Sequence, residues 1–278
     1  MPQNHQITND EYQRFKRFLD ETCGIILGEG KQYLVVSRLT KLLRNENIAS
    51  LSALLDMVER GYPRHIPIMV IDAMTTNETS WFRDRSPFEA LRYEVFPEME
   101  QLTMSPCRIW SAACSSGQEP YTISIALSEY IKAKPTTSLQ SCQVIATDIS
   151  QSMLDEAKTG IYDESILVRG LSPERRQHYF EQRETDWAVK SVVKNRVSFR
   201  EQNLLKSYAS LGKFDIIFCR NVLIYFSAER KADILERLAM ALKPRGYLFL
   251  GASETVMNYN NDFETIRSPH GVFFRLKP

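Results

Sequence analysis

Four polar segments, each placed directly after a short β-rich run, contain residue types that bind a nucleoside. The first, 113–121, is rich in small residues, which let the backbone approach a ligand closely. Asp148 follows the second run, and a carboxylate there can accept two hydrogen bonds from the vicinal hydroxyls of a ribose. Asn203 and Arg220-Asn221 follow the third and fourth runs, where amides and backbone groups can bind an adenine edge. Because parallel strands end at one sheet edge, the four segments predict a nucleoside-sized site.

Each of these residues, taken alone, also has a purely structural interpretation. Gly117 can be a turn glycine, Asp148 a helix N-cap, Asn203 and Asn221 turn residues, and Tyr225 a core aromatic. The first segment lacks G-x-G-x-x-G, so it gives little support to a dinucleotide site. It is the combination at matching strand ends that favours a ligand site.

These segments need a parallel sheet to bring them together, and the sequence from Cys107 onward predicts one. Short β-rich runs alternate with helical stretches, the pattern of a sheet with helices on both faces. A polar stretch at about 160–195 is predicted to be an insertion between the second and third major strands. The predicted strands are 108–112, 143–147, 197–200, 214–219 and 246–250, followed by a terminal hairpin of 263–268 and 272–276.

The first 75 residues predict a small helical bundle. Thr8 and Glu11 have the spacing of a capping box at the start of a helix. Apolar periodicity predicts helices at 8–23, 33–44, 51–60 and 65–74. The second of these has a basic face of Arg38, Lys41 and Arg44, which in most proteins is simply a solvated surface.

A further helix is predicted after the polar segment 75–80. Ser86 and Glu89 have capping-box spacing with Pro87 at the first helical position, and Pro97 is the predicted end.

Composition excludes several classes of protein. The 278 residues are 43% hydrophobic with a formal net charge of +1, which argues against a disordered chain and a dedicated nucleic-acid binder. No apolar run approaches the length of a membrane span, and the first residues lack the apolar core of a signal peptide. Five cysteines without a C-x-x-C pair and four scattered histidines predict reduced thiols and no metal site. We therefore expect a cytoplasmic protein without direct membrane insertion.

Four motifs resemble the signatures of the bacterial chemotaxis receptor methyltransferases, the CheR family, and the resemblance runs nearly from end to end. In chain order they are Thr76-Asn77-Glu78-Thr79-Ser80-Trp81-Phe82-Arg83-Asp84, Ile109-Trp110-Ser111-Ala112-Ala113-Cys114-Ser115-Ser116-Gly117-Gln118-Glu119-Pro120-Tyr121, Ala146-Thr147-Asp148-Ile149-Ser150 and Phe218-Cys219-Arg220-Asn221-Val222-Leu223-Ile224-Tyr225-Phe226.

The resemblance implies an α/β fold with three parts. Residues 98–278 form a Rossmann-like class I methyltransferase domain that binds S-adenosylmethionine (SAM), with a mostly parallel sheet, a C-terminal antiparallel hairpin and a small β-subdomain inserted at about 160–195. Residues 1–75 form an all-α N-terminal domain for receptor docking. Residues 76–97 form a linker and helix that carry part of the cofactor site.

The implied activity is SAM-dependent methylation of glutamate side chains on the cytoplasmic helical domain of methyl-accepting chemoreceptors, for chemotactic adaptation. The products are glutamyl methyl esters and S-adenosylhomocysteine, and no metal is required. We expect a monomer that is recruited to membrane receptor arrays.

Carried over position by position, the resemblance also implies site residues. Arg83 and Tyr225 lie near the transferring methyl and are the predicted catalytic residues; Arg83 can hold either the incoming carboxylate or that of the cofactor. The face of Arg38, Lys41 and Arg44 is predicted to dock an acidic receptor surface. The predicted cofactor contacts are Asn77, Thr79, Arg83, Glu119, Asp148, Asn203, Leu204, Arg220 and Asn221.

One segment departs from the pattern of the family. Some members capture a C-terminal receptor pentapeptide by strand addition, with a glycine-rich loop in the inserted subdomain. The corresponding segment here, 179–189, is short and has no glycine, which predicts an enzyme that does not depend on the pentapeptide.

Three other functions stay open on the sequence. A methyltransferase of this fold acting on a small molecule or nucleic acid is disfavoured by the near-neutral charge and the matching N-terminal domain. A non-catalytic sensor of SAM or a nucleotide is disfavoured by the presence of Arg83, Asp148 and Tyr225. A dinucleotide oxidoreductase is disfavoured by the missing glycines.

Overall fold

The computed structural model describes residues 7–102 and 106–278 of the chain. Its first part is a helical bundle around buried apolar side chains that include Phe15, Leu39, Leu54 and Val70. The predicted capping box is confirmed, because the Thr8 and Glu11 side chains each accept the other's backbone N–H. The bundle consists of α1 (Asn9–Cys23), α2 (Gln32–Asn45), α3 (Leu51–Arg60) and α4 (His65–Met74).

The helix that follows the bundle is longer than predicted. It begins as α5 (Ser86–Ala90), passes through a π-helical turn (Leu91–Val95) and continues as α6 (Phe96–Leu102), so the predicted end at Pro97 is wrong. A proline lacks the N–H of a helical hydrogen bond, and here it is the second residue after the wider π turn, in the first turn of α6. The capping box predicted for Ser86 and Glu89 is also wrong. Ser86 is itself helical, and Arg85 before it makes no side-chain cap.

A seven-stranded sheet forms the second part, as predicted. Its strand order is β6-β2-β1-β7-β8-β10-β9, parallel from β6 to β8 and antiparallel at β10 and β9. The strands are β1 (Arg108–Ala112), β2 (Gln143–Asp148), β6 (Val197–Glu201), β7 (Phe214–Cys219), β8 (Leu242–Leu250), β9 (Phe263–Ser268) and β10 (Gly271–Leu276). The predicted start of β8 at residue 246 is therefore four residues late.

Helices cover both faces of this sheet, because its central strands bury side chains on both sides. Along β1, Ile109 packs in one apolar cluster and Trp110 in the other, as the two-residue repeat of a strand requires. The main covering helices are α7 (Gln118–Ala133), α8 (Gln151–Thr159) and α12 (Ala228–Ala241), and short 3-10 turns lie at Ser138–Ser141, Ala209–Leu211 and Leu223–Tyr225.

The predicted insertion is a small antiparallel sheet between α8 and β6. Its strand order is β3-β5-β4, and the β4–β5 connection is closed by a hydrogen bond of 2.8 Å from the N–H of Arg183 to the carbonyl of Asp186. The elements are β3 (Ile161–Tyr162), α9 (Glu164–Leu167), α10 (Pro173–Tyr179), β4 (Phe180–Gln182), β5 (Trp187–Val189) and α11 (Ser191–Lys194).

Within the described residues, no helix is long and apolar enough to cross a membrane.

Candidate active site

A cavity of about 300 Å³ lies at the carboxyl edge of the sheet, between the helical bundle, the linker after α4 and the loops that follow β1, β2, β6 and β7. Its lining includes every residue predicted to contact a cofactor and both predicted catalytic residues. These are Asn77, Thr79, Arg83, Glu119, Asp148, Asn203, Leu204, Arg220, Asn221 and Tyr225.

The loop after β1 reaches the cavity through an unusually tight turn. Ala113 and Ser115 have left-handed backbone, with φ of 58° and 50°, and Gly117 has φ of 95°. A Cβ on Gly117 would lie 2.9 Å from the Tyr162 hydroxyl and from the Ala157 side chain, so glycine is required there. The turn directs the first residues of α7, including Glu119, to the cavity.

Asp148 at the end of β2 is held by two backbone groups. Its Oδ2 accepts the N–H of Ser115 at 2.7 Å, and its Oδ1 accepts the N–H of Ser150 at 2.9 Å. Burial raises the pKa of Asp148, and these N–H donors oppose the rise. The N-cap of α8 is Ser150, whose hydroxyl accepts the N–H of Met153, so the N-cap interpretation of Asp148 is wrong. A carboxylate oxygen has two lone pairs, so each can still accept a ribose hydroxyl.

Glu119 and Arg220 form a buried charged group at the floor of the cavity. Glu119 Oε1 accepts the Ser111 hydroxyl at 2.7 Å, and its Oε2 lies 3.1 Å from Nη1 of Arg220. Arg220, with a side chain 1% exposed, also donates to the Asp84 carboxylate at 2.6 Å and the Arg83 carbonyl at 3.0 Å. Burial raises the pKa of Glu119, and Arg220 opposes this.

Arg83 and Tyr225 approach the cavity from opposite segments of the chain. Arg83 Nη1 donates to the carbonyl of Glu78 at 3.0 Å, and a guanidinium has four further N–H groups that can donate to a second acceptor. Tyr225 ends a 3-10 turn after β7, and its carbonyl accepts the N–H of Ile26 at 3.2 Å. Both side chains are half-buried, as suits groups that meet an incoming ligand.

Asn203 lines the cavity, but its side chain connects the two halves of the chain. Its Nδ2 donates to the carbonyl of Thr22 at 2.7 Å, and its Oδ1 accepts the N–H of Leu205 at 2.8 Å. Its second Nδ2 hydrogen and the second lone pair of Oδ1 are still available to a ligand, and the neighbouring Leu204 is buried in the cavity lining.

The predicted docking face divides in the structure. Arg38 lines the cavity and points to the linker, where its guanidinium donates to the carbonyls of Met74 and Thr75 and to the Thr76 hydroxyl. Lys41 and Arg44 are exposed and lie outside the cavity lining. Arg38 is therefore held against residues 74–76, whereas Lys41 and Arg44 face solvent. The sequence of α2 alone does not show this difference, because residues 74–76 are distant in the chain.

The sequence did not predict one group of cavity-lining residues, nor the role of Glu254, which lies outside the lining and supports Asn221. Cys23, the last residue of α1, and the apolar residues 25–27 of the α1–α2 connection line the cavity. Their signal in the sequence is Gly24, which ends α1 with φ of 75° and precedes an apolar run outside any helix. Glu254 was also missed; its Oε2 accepts the N–H groups of Asn221 and Gly251, both at 2.7 Å, and so joins the ends of β7 and β8.

The chemistry of the cavity fits a nucleoside with a charged tail. Asp148 offers acceptors for vicinal hydroxyls, and the connection after α1 offers an apolar wall. Glu119 and Arg83 supply one negative and one positive group, which an amino acid moiety needs. Among the described residues, no group of three or more His, Cys, Asp or Glu side chains is placed to hold a metal ion.

Comparisons with known proteins give matches over nearly the whole chain. Residues 10–75 match the all-alpha domain of the CheR methyltransferases, and residues 77–272 match their SAM binding domain. The chain is 52% identical over 273 residues to chemotaxis protein methyltransferase 1 of Pseudomonas aeruginosa, covering 97% of this chain and 98% of that protein. It is 51% identical to the chemotaxis protein methyltransferase of Vibrio parahaemolyticus, with 98% of each covered. The chain therefore belongs to the CheR methyltransferase family, and SAM is its cofactor.

Proposed function

We propose that this protein methylates glutamate side chains on the cytoplasmic helical domain of chemoreceptors, giving glutamyl methyl esters and S-adenosylhomocysteine for chemotactic adaptation. The observation that carries the proposal is the common cavity of Asp148, Arg83 and Tyr225, in a chain that matches both CheR domains. A methyl acceptor and the cofactor can meet in that cavity.

The residues suit transfer to a carboxylate. A glutamate is already ionised near neutral pH, so the acceptor needs no general base. When bound, SAM supplies a methyl group on a positively charged sulfur, which a carboxylate oxygen takes by displacement. The remaining task of the protein is to align the acceptor and remove its water. We assign this task to hydrogen bonds from Arg83 and Tyr225.

Arg83 has two possible partners, and each is a carboxylate. Its guanidinium can bind the incoming glutamate or the cofactor's own carboxylate with two parallel hydrogen bonds. Arg83→Ala separates them: loss of turnover with unchanged cofactor affinity favours the first, and loss of cofactor affinity favours the second. Unchanged turnover would contradict both.

We assign one function to each of the three predicted parts of the chain. Residues 1–75 dock the receptor, 76–97 carry part of the cofactor site, and 98–278 perform the transfer. Lys41 and Arg44 supply the exposed positive charge that an acidic receptor surface requires, while Arg38 acts through its contacts with the linker. We propose that the protein acts as a cytoplasmic monomer at receptor arrays.

We further propose that the receptor's C-terminal pentapeptide is not needed. The support is the β4–β5 connection of residues 183–186, which is short, closed on itself by one backbone hydrogen bond and free of glycine.

The deciding experiment is methyl transfer from labelled SAM to membranes that contain the host's chemoreceptors, scored as base-labile methanol. Base-labile label on receptor bands is the expected result, because an ester is hydrolysed by base. Cofactor binding without label would indicate another acceptor or a sensor, and would contradict the proposal.

A further inference from the structure

The segment 81–85, which contains Arg83, has a backbone conformation that its own residues do not favour. Phe82, Asp84 and Arg85 are all left-handed, with φ of 47°, 66° and 52°. Residues with a Cβ rarely adopt this conformation and keep it only where the surrounding structure holds them. The contacts around this segment therefore determine where Arg83 lies.

One side of the segment is held by the methyltransferase sheet and its helices. Arg220 donates to the carbonyl of Arg83 and to the carboxylate of Asp84, at 3.0 and 2.6 Å. The N–H of Phe82 donates to the Thr122 hydroxyl on α7 at 3.3 Å.

The other side is held by the inserted subdomain, first at Trp81. The N–H of Trp81 donates to the carbonyl of Arg169 at 3.2 Å. Its indole ring, 1% exposed, meets Tyr162 and Phe180 edge-on, with ring centroids 5.1 Å apart in each pair. Gly170 has φ of 109°, and a Cβ there would overlap the Trp81 carbonyl oxygen. The insertion thus packs backbone against backbone at the residue two before Arg83.

A second contact of the insertion is at Phe82. The guanidinium of Arg175, on α10, lies 3.8 Å from the centre of the Phe82 ring, a close cation–π contact. Two hydrogen bonds of 2.8 and 3.0 Å to the Glu129 carboxylate on α7 fix its orientation.

We propose that the inserted subdomain is a positioning element for Arg83: its contacts with Trp81 and Phe82 hold the strained linker so that the guanidinium faces the transferring methyl. The inference rests on the proposed role of Arg83 in methyl transfer. Gly170 and Arg175 lie outside the cavity lining, so they act on Arg83 only through Trp81 and Phe82. Both are therefore positioning residues.

Two variants with matched controls test this. Gly170→Ala pushes the insertion away from Trp81; its control is Gly61→Ala, where φ is 63° but nothing lies within 4 Å of the added Cβ. Arg175→Met removes the charge over Phe82. Its control is Arg176→Met on the same helix, which removes a charge 5.0 Å from the Trp187 ring.

We expect kcat on receptor membranes to fall at least about tenfold in both test variants, because a misplacement of about 1 Å can cost on the order of 100-fold in rate. The KM for receptor should be unchanged. Hydrogen exchange of the backbone amides at 81–86 in the ligand-free protein should be faster in the test variants than in the controls.

Wild-type kcat in both test variants, or unchanged exchange at 81–86, would overturn the inference. A fall in melting temperature with equal losses in the control variants would indicate a merely structural contact. If Gly170→Ala does not fold, Arg175→Met decides. Failure of the proposed function gives a different result, since the wild-type protein itself would then transfer no methyl to receptors.

Discussion

Arg220 and Glu119 form an ion pair in the lining of the cavity, with Nη1 of the arginine 3.1 Å from Oε2 of the glutamate. The arginine side chain is 1% exposed and also binds Asp84, so a carboxylate of the linker and one of α7 share one buried cation. The pair therefore connects the linker, the first residues of α7 and the end of β7 at the cavity.

Loss of this cation should destabilise the protein strongly. Arg220→Met leaves Glu119 buried without its partner, and breaking a buried pair in this way costs about 3–5 kcal/mol. Urea denaturation should show that loss of unfolding free energy. The control Lys158→Met breaks an exposed pair with Asp155 and should cost less than about 1 kcal/mol. Equal losses in the two variants would contradict the prediction.

Cofactor binding should depend on the ionisation of Asp148. Because burial raises its pKa, protonation on acidification begins at a higher pH than for an exposed aspartate, and the protonated group loses acceptor capacity. The affinity for S-adenosylhomocysteine, measured by calorimetry, should be highest above this raised pKa. It should fall as the pH is lowered through it.

The variant Asp148→Asn separates this group from other titrating groups. It should weaken binding at neutral pH by roughly 10- to 100-fold, since a hydrogen bond to a charged group contributes about 1.5–3 kcal/mol. The acid decline assigned to Asp148 should also disappear. Asp155→Asn, on the exposed side of α8, is the control, and an acid decline retained in full by Asp148→Asn would refute the assignment.

Receptor affinity should depend on Lys41 and Arg44. Reversing both to glutamate should raise the KM for receptor membranes several-fold, because like charges then face an acidic partner. The cofactor affinity should stay constant, and added salt should reduce the difference from wild type. Lys132→Glu on α7 is the control for net charge. An unchanged KM in the double reversal would exclude this face from docking.

Arg38→Ala should behave differently from the reversal of Lys41 and Arg44. Arg38 donates to the carbonyl of Thr75 and the hydroxyl of Thr76 directly before Asn77, so its loss should weaken cofactor binding. Calorimetry with S-adenosylhomocysteine measures this; a pure increase in receptor KM would instead return Arg38 to the docking face.

A receptor-tail pentapeptide should bind weakly. We expect calorimetry to show no submicromolar binding to the wild-type protein, because the 183–186 connection lacks the glycine-rich loop that captures such peptides by strand addition. Submicromolar binding would contradict this. Receptors truncated by the pentapeptide should be methylated at the same rate as complete ones.

The sheet was predictable from sequence because its strands are buried on both faces and end in polar turns. The bounds of β1 and β7 are as predicted, and Asp148, Asn203 and Arg220 meet at one edge because parallel strands end together. The resemblance to the family supplied the proposed roles of Glu119 and Tyr225, which spacing alone left open.

The parts that were missed depend on contacts between distant segments. The position of Arg38 is set by its hydrogen bond to the carbonyl of Met74 at the end of α4. The helix that begins at Ser86 continues past Pro97 because a π turn comes before the proline. Glu254 gave no signal, since a lone glutamate becomes informative only once the ends of β7 and β8 are seen together.

The contact between Asn203 and Thr22 has a consequence for cofactor binding. The wall of the cavity at residues 23–27 comes from the helical bundle, and a Cβ on Gly24 would lie 2.6 Å from the Phe226 ring. The contacts that hold the helical bundle against the loops of the sheet therefore also form part of the cofactor cavity. By thermodynamic reciprocity, any partner that shifts the bundle changes cofactor affinity, and the bound cofactor changes affinity for that partner by the same factor. Cofactor occupancy and the position of the helical bundle are thus coupled variables in this protein.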